Sequence, residues 1–443
     1  MSIGKHFLCS RAASCCLLAL VLCVRSYGST PVETVIYRFQ GPPDGASPYA
    51  ALVADASGNL YGTTSAGGNL ACSQGCGTVF ELSPPAVAGA AWTETLLYSF
   101  EGGANDGAKP LGTLMFDDKG NLYGTTNLGG PTNVGSVFEL SPPATPGGAW
   151  SETVLCFFGA VLGIPDGQNP TGKLVMDPDG NLYGTTYYGE HAEIQGRGTV
   201  FELIHPSSGG TWTKRILYTF GLYAGDGANP ASDLLLRGGV LYGTTLNGGA
   251  GPYGGVGTVF QLVRKPGNWT ETILHDFEAG ADGAIPYGGL IADSEGNLYG
   301  TTFSNGIEYC CSGGSIYELS PPATAGGPWQ ETILYTFPVK GPGFHPSAGL
   351  WRDKLGDLFG TTTYTASDPF GGGSVFKLKA PAAVGGDWTL APMHEFPNLF
   401  LDPQGDGYNP YGALILVNGV FYGTTENGGS VSKYSGAVFS ITP

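Results

Sequence analysis

One phrase constrains this chain more than any other. Leu-Tyr-Gly-Thr-Thr, or a close variant, places its aromatic residue at Tyr61, Tyr123, Tyr183, Tyr242, Tyr299, Phe359 and Tyr422, at spacings of 62, 60, 59, 57, 60 and 63 residues. A second phrase follows each copy: Gly-Thr-Val-Phe-Glu-Leu from Gly77, with variants from Gly135, Gly198, Gly257, Gly314, Gly373 and Gly436. A third, Glu-Thr-x-Leu-Tyr-x-Phe, ends at Phe39, Phe100, Phe158, Phe220, Phe277, Phe337 and Phe396. An apolar stretch such as Gly172 to Asp177 precedes each copy of the first phrase. A period near 60 in seven copies is the signature of a repeat architecture.

Each phrase is short, rich in β-branched and aromatic residues, and bounded by Gly, Pro, Asn or Asp, which are strand signals. No stretch sustains a helical period. Five repeats turn through Asp-x-x-Gly-Asn/Asp, as at Asp55–Asn59. Two shorten to Gly238-Gly239 and Asn418-Gly419, two-residue hairpin turns. The repeat is therefore expected to hold four antiparallel strands in meander order: a (apolar stretch), b (Tyr-Gly-Thr-Thr), c (Val-Phe-Glu-Leu) and d (Leu-Tyr-x-Phe). Seven such units predict an all-β, seven-bladed β-propeller. Residues 29–443 open with a lone strand d, Glu33 to Phe39, and finish with a, b and c. The N-terminal strand is expected to complete the last blade. A linear β-solenoid is the runner-up; it offers no reason for one repeat to be split between the two ends.

The 75 Gly and 32 Pro among 443 residues then read as repeated turns rather than low complexity, since 42% of the chain is apolar and 12% aromatic. Residues 1–28 read as a secretory signal: Lys5 and Arg11 precede an apolar stretch from Ala12 to Val24, with Ser26 and Gly28 suited to cleavage. The lipoprotein alternative through Cys23 is disfavoured by Leu22 before it. The expected location is extracellular or periplasmic. Losing Lys5, Arg11 and Arg25 takes the formal charge from −17 to −20. Such a surface repels phosphate backbones, so nucleic acid is not an expected partner, and no segment is long enough to span a membrane. A monomer is expected.

At these residues the chain resembles the GloVer tandem-repeat family, the secreted "choice-of-anchor" repeat proteins. The resemblance rests on Leu-Tyr-Gly-Thr-Thr…Gly-Gly…Gly-Thr-Val-Phe-Glu-Leu in seven copies. It implies export and a repeat scaffold, and it carries no activity and no catalytic residues. Members commonly bear a C-terminal sorting anchor, whereas this chain ends at Pro443 inside a repeat. The hairpin Asp-x-x-Gly-Asn-Leu-Tyr also resembles NHL and gluconolactonase-like propellers over a short span.

Candidate site residues fall on the face shared by the d–a and b–c connections. The d–a loops repeat Asp-Gly-x-x-Pro with Asp44, Asp106, Asp166, Asp226, Asp282 and Asp406, and Pro342 fills the slot in the remaining repeat. Two readings are open. The six carboxylates form a ring at the channel mouth for a cation, Ca²⁺ by preference, or for a sugar; or each caps its own turn. The b–c loops vary most and carry Tyr187, Tyr188, Glu190, His191, Tyr253, Tyr309 and Tyr434. Variable loops on a rigid scaffold are where binding residues concentrate. On the other face, one Trp precedes strand d in all six c–d connections (Trp92, Trp150, Trp212, Trp269, Trp329, Trp388), which reads as packing. His275 and His394 fill slots that hold Tyr in most copies of strand d, and read as structural; no His pair has metal-ligand spacing. No nucleophile elbow, P-loop or dinucleotide fingerprint is present. Five cysteines remain beyond the signal, Cys72, Cys76, Cys156, Cys310 and Cys311. The first two are close enough to pair, and none has a neighbour that would activate it.

The expected function is a non-catalytic binding or structural module for a glycan or a cell-surface protein, without a required cofactor. The alternative is a lyase- or hydrolase-type enzyme at the channel mouth, using one or two of the six Asp with His191 or Tyr188. An enzyme needs one pocket whose polar groups break the sevenfold pattern.

Overall fold

The first Thr of each Tyr-Gly-Thr-Thr phrase shows how neighbouring repeats are joined. Thr63 Oγ1 donates to the carbonyl of Gly112 in the next repeat, Thr244 to Pro286 and Thr301 to Ala348, and Thr424 returns to Ala50 in the first repeat at 2.9 Å. A chain of contacts that returns to its start is a closed ring. The computed structural model describes residues 31–443 except 88, 146, 160–165, 190–196, 208, 252–254, 307–312, 325, 339–342, 366–371, 384, 398–405 and 430–434. The proposed signal segment lies outside the described residues.

The ring is a seven-bladed β-propeller with antiparallel sheets in the expected order. Blade 1 comprises Val53–Ala54, Leu60–Thr64, Thr78–Ser83 and Thr93–Ser99 as strands a to d. Blade 3 gains a fifth strand, Gln168–Pro170, paired with Leu182–Tyr188. In the seventh blade Ile415–Val417, Val420–Thr425 and Ala437–Thr442 are completed by the outer strand Val32–Arg38, in register from Val32 opposite Thr442 to Arg38 opposite Ala437. The N-terminal strand thus closes the ring.

Each conserved-looking phrase has a mechanical reason. The Gly of strand b lies under the ring of the strand-c aromatic: a Cβ at Gly184 would stand 2.5 Å from Phe201, and one at Gly62 2.6 Å from Phe80. The second Thr bonds the residue opposite it on strand c, as Thr64 does Thr78 at 2.7 Å. In the seventh blade that partner is Ala437, and Thr425 Oγ1 is left without a hydrogen bond. The turn Asp-x-x-Gly-Asn is held by its Asp: Asp55 accepts from the amides of Ser57 and Asn59 and from the Tyr61 hydroxyl.

The core lies between blades rather than within them. The Phe ending strand d packs edge-on against the strand-c aromatic of the next blade, from Phe39 on Phe80 at 5.0 Å to Phe396 on Phe439 at 4.9 Å. All of these rings are essentially buried. The Trp of blades 1 to 5 rests on the strand-b Tyr of the blade before, as Trp150 does on Tyr61 and Trp92 on Tyr422, and Trp388 packs against the cluster that holds Tyr299, so the expected packing role holds. Every c–d pair carries a bulge at the same place, for example between Val79 and Phe80. It lets Leu97 go inward while Tyr98 turns toward the following loop.

Deleting residues 31–40 should lower the denaturation temperature sharply, since burial of Phe39 alone is worth about 3–5 kcal/mol; an unchanged transition would refute closure by this strand. Gly184→Ala should cost about 1–3 kcal/mol by overpacking, read from the denaturant midpoint against an exposed Gly210→Ala control.

Candidate functional site

The d–a and b–c connections lie on one face, because they pair with each other. Gly45–Ala46 pairs with Ala66–Gly67, Gly107–Ala108 with Leu128–Gly129, and Gly227–Ala228 with Asn247–Gly248. The residue before each loop proline is then left-handed: Ser47, Lys109, Asn169, Asn229, Ile285, His345 and Asn409 have φ between 54° and 60°. This conformation is unfavourable for a β-branched residue such as Ile285. Its effect is to swing the next residues onto the axis. The central cavity, of about 70 Å³, is lined by all seven repeats through Tyr49, Leu111, Thr171, Ala231, Tyr287, Ser347 and Tyr411 and the small residues that follow them.

Those seven positions are not alike. Tyr49 and Tyr287 meet hydroxyl to hydroxyl at 2.8 Å, and Tyr49 stacks on Tyr411 at 4.6 Å. Phe303 stacks on His345 at 4.2 Å, and His345 meets Tyr364 edge-on. Glu426 sits at this cluster and accepts from the Asn427 amide at 3.1 Å. Burial raises the Tyr49 and Tyr411 phenols, helped by the neighbouring tyrosines and Glu426. Burial also raises the Glu426 carboxyl. The tyrosines are therefore neutral hydrogen-bonding groups, not bases. The cavity wall also carries Asp233, whose carboxylate accepts from the amide of Lys173 at 2.7 Å. Sequence reading missed Tyr49, Tyr287 and Tyr411, although the three Pro-Tyr pairs among seven loops were visible.

The six loop aspartates do not gather here. None lines the cavity, and their printed hydrogen-bond partners are amides of their own loops and side chains on outer strands. Asp44 accepts from the Tyr37 hydroxyl at 3.1 Å and from the amides of Gln40 and Gly45; Asp106 does so from Tyr98, Glu101 and Gly107. Asp226 takes Tyr218 and the amides of Gly221 and Leu222. This is the turn-capping arrangement. It includes a partner from the next blade: Asp44 faces Glu94, Asp106 Glu152, Asp226 Glu271, Asp282 Glu331 and Asp406 Glu33. The groove between adjacent blades thus holds a strand-d residue, a loop Asp and a Glu from the next strand d.

Departures from this pattern compensate one another. Between blades 2 and 3 the trio becomes Cys156, Asp166 and Lys214, with an ion pair of 2.5 Å replacing the shared carboxyls. Where Pro342, outside the described residues, replaces the Asp, strand d of the next blade has Leu390 in place of Glu. Between blades 4 and 5, His275 replaces Tyr and bonds Asp282 at 3.0 Å.

Of the variable-loop residues, Tyr187 is half-buried with its ring against Tyr188 at 4.6 Å, and Tyr188 is exposed. Tyr187 also lies near Tyr287 at the edge of the mouth. Glu190, His191, Tyr253, Tyr309 and Tyr434 lie outside the described residues, as do Cys310 and Cys311. Cys72 and Cys76 form a disulfide, and the free Cys156 is closed off, its thiol pushed up to about 12 by burial.

The carboxyl pairs have a pH consequence. Burial first, then the facing Asp, raises Glu33, Glu94, Glu152 and Glu271 from 4.5 to about 7. The folded state binds these protons more tightly than the unfolded chain. Their contribution is complete below 4.5 and is lost as pH rises to about 7. The groups held low, such as Asp177 and Asp293, act below their ordinary 3.8 and do not enter this window. The denaturant midpoint should fall between pH 4.5 and 7.5, and Glu94→Gln, which keeps a donor toward Asp44, should make the fall shallower. An identical slope in the variant would overturn the assignment.

The sequence matches the Gloeobacter/Verrucomicrobia repeat over residues 25–256, 145–337 and 254–443. No curated protein matches it. Solved structures of similar fold include a fungal alcohol oxidase of the AA5 family in complex with copper, 14% identical with a TM-score of 0.54 over 94% of this chain and 76% of that one. PorZ, a surface component of the type-IX secretion system of Porphyromonas gingivalis, is 14% identical with a TM-score of 0.51 over 91% of this chain. This chain spans 47% of PorZ's length. A PL25 ulvan lyase bound to its sugar is 11% identical with a TM-score of 0.50 over 92% of this chain and 95% of that one. At these identities the likeness is one of fold. The sequence matches together run from residue 25 to 443, and the chain belongs to the Gloeobacter/Verrucomicrobia repeat family.

Proposed function

We propose that this is an exported binding module whose d–a and b–c face takes a glycan at the channel mouth. The observation that carries the reading is the convergence of Tyr49, Tyr287 and Tyr411 on the axis, with Phe303, His345 and Tyr364 beside them. Flat aromatic faces suit the C–H faces of sugar rings, and neutral phenols and the Glu426–Asn427 pair suit their hydroxyls. The ulvan lyase, a propeller-like neighbour, holds a polysaccharide. PorZ, another, is a surface component. The latter is consistent with export of this chain.

A catalytic reading is favoured by one observation, the broken sevenfold symmetry of the mouth. Against it stand the raised phenols of Tyr49 and Tyr411, which make poor bases.

The test is a screen of soluble polysaccharides by calorimetry, with product analysis for new reducing ends or double bonds. Binding without products is expected, and Tyr411→Ala should weaken it about ten-fold, or ~1.4 kcal/mol, the scale of a truncated aromatic anchor. Binding unaffected by Tyr411→Ala would move the site elsewhere, and product formation would establish the enzyme.

A further inference from the structure

We propose that His275, Asp282 and Glu331 form a transition-metal site, of a kind suited to Zn²⁺, that clips blade 4 to blade 5. His275 comes from the outer strand Asn268–Asp276, Asp282 from the loop that follows, and Glu331 from the outer strand Gln330–Thr336 of the next blade. His275 Nε2 stands 3.0 Å from Asp282 Oδ1 and 3.6 Å from Glu331 Oε1. One donor atom from each residue lies within 4.8 Å of the others. One imidazole and two carboxylates form a mixed nitrogen and oxygen set with room for water, which suits Zn²⁺ and neighbouring ions better than Ca²⁺ or Mg²⁺. The side chains are 16–19% exposed, so the groove is open to an ion.

The equivalent groove elsewhere in the ring points to a cation in this position. Between blades 2 and 3, the same groove already seats one, the ammonium of Lys214 on Asp166. Between blades 4 and 5 no basic side chain takes that place. Glu331 Oε1 faces the His275 imidazole instead, and the two carboxylates would balance the charge of an M²⁺ ion.

The replacement of Tyr by His is what makes this groove a ligand set. Tyr37, Tyr98, Tyr218 and Tyr335 occupy the same slot elsewhere. His394, Asp406 and Glu33 are the same three residue types between blades 6 and 7, but among the described residues only the first trio brings its donors within ligand reach. Sequence spacing hid the set, because Glu331 lies a full repeat after His275.

The test titrates the chelator-stripped full chain with ZnCl₂ by calorimetry, in two buffers of different ionisation enthalpy. His275→Tyr installs the residue that four other grooves use and should fold normally by circular dichroism. His394→Tyr is the control. The wild type and His394→Tyr should bind one more equivalent of Zn²⁺ than His275→Tyr. Equal stoichiometry in wild type and His275→Tyr, or no Zn²⁺ binding by the wild type, would overturn the site. So would Ca²⁺ binding as tightly as Zn²⁺ and persisting in His275→Tyr. If His275→Tyr unfolds, the same comparison is made with Glu331→Gln.

Discussion

A phenyl ring lying over a bare glycine governs this molecule. Strand c can present Phe80 or Phe201 to its own strand b only because Gly62 and Gly184 leave no Cβ in the way. The ring so placed becomes the surface against which the preceding blade rests its own terminal Phe. Neither blade buries that pair alone. The contact repeats around the circle, and the hydrophobic clusters accordingly mix residues of adjacent repeats. Hydrogen bonds from the strand-b threonines to the neighbouring inner strand fix the spacing near the axis. The Tyr–Asp–Glu trios fix it near the rim. Stability therefore lies in the joints, and the joints tolerate change when both sides change together, as Cys156 with Lys214 shows.

The fold was legible because its determinants are local phrases repeated seven times. Strand order, the split blade and the packing Trp all followed from spacing and turn chemistry. The candidate site was legible only in part, for two physical reasons. Repetition of the loop aspartates fits a ring and a turn cap alike, and no spacing rule shows that Asp44 and Asp106 meet the amides of their own turns and the hydroxyls of Tyr37 and Tyr98. The direction of the chain after the loop proline depends on one left-handed residue, and no composition rule says that Tyr49, Tyr287 and Tyr411 then meet across 238 and more residues. What breaks the pattern carried more functional information than what keeps it.

The same contrast separates two kinds of carboxylate. Those at the rim serve neighbouring blades and share protons or cations. Glu426 belongs to none of these trios; its neighbours are Tyr49, Tyr411 and Asn427. A scaffold that spends its repeated charges on its own seams leaves its few unrepeated groups to face a ligand.

The pairing of Val32–Arg38 with Ala437–Thr442 has a temporal side. The strand that seals the ring emerges first during synthesis and must wait for the last strand to be made. Until then the chain carries one outer strand without a blade and one blade without its outer strand, two edges that fit each other and nothing else in the ring. Closure over some four hundred residues costs little more than over two hundred, since the entropy of a loop grows only with the logarithm of its length. The delay is thus one of order rather than of energy. A chain threaded through a narrow export channel before that moment would cross as a string of unlocked repeats and become a ring only on the far side.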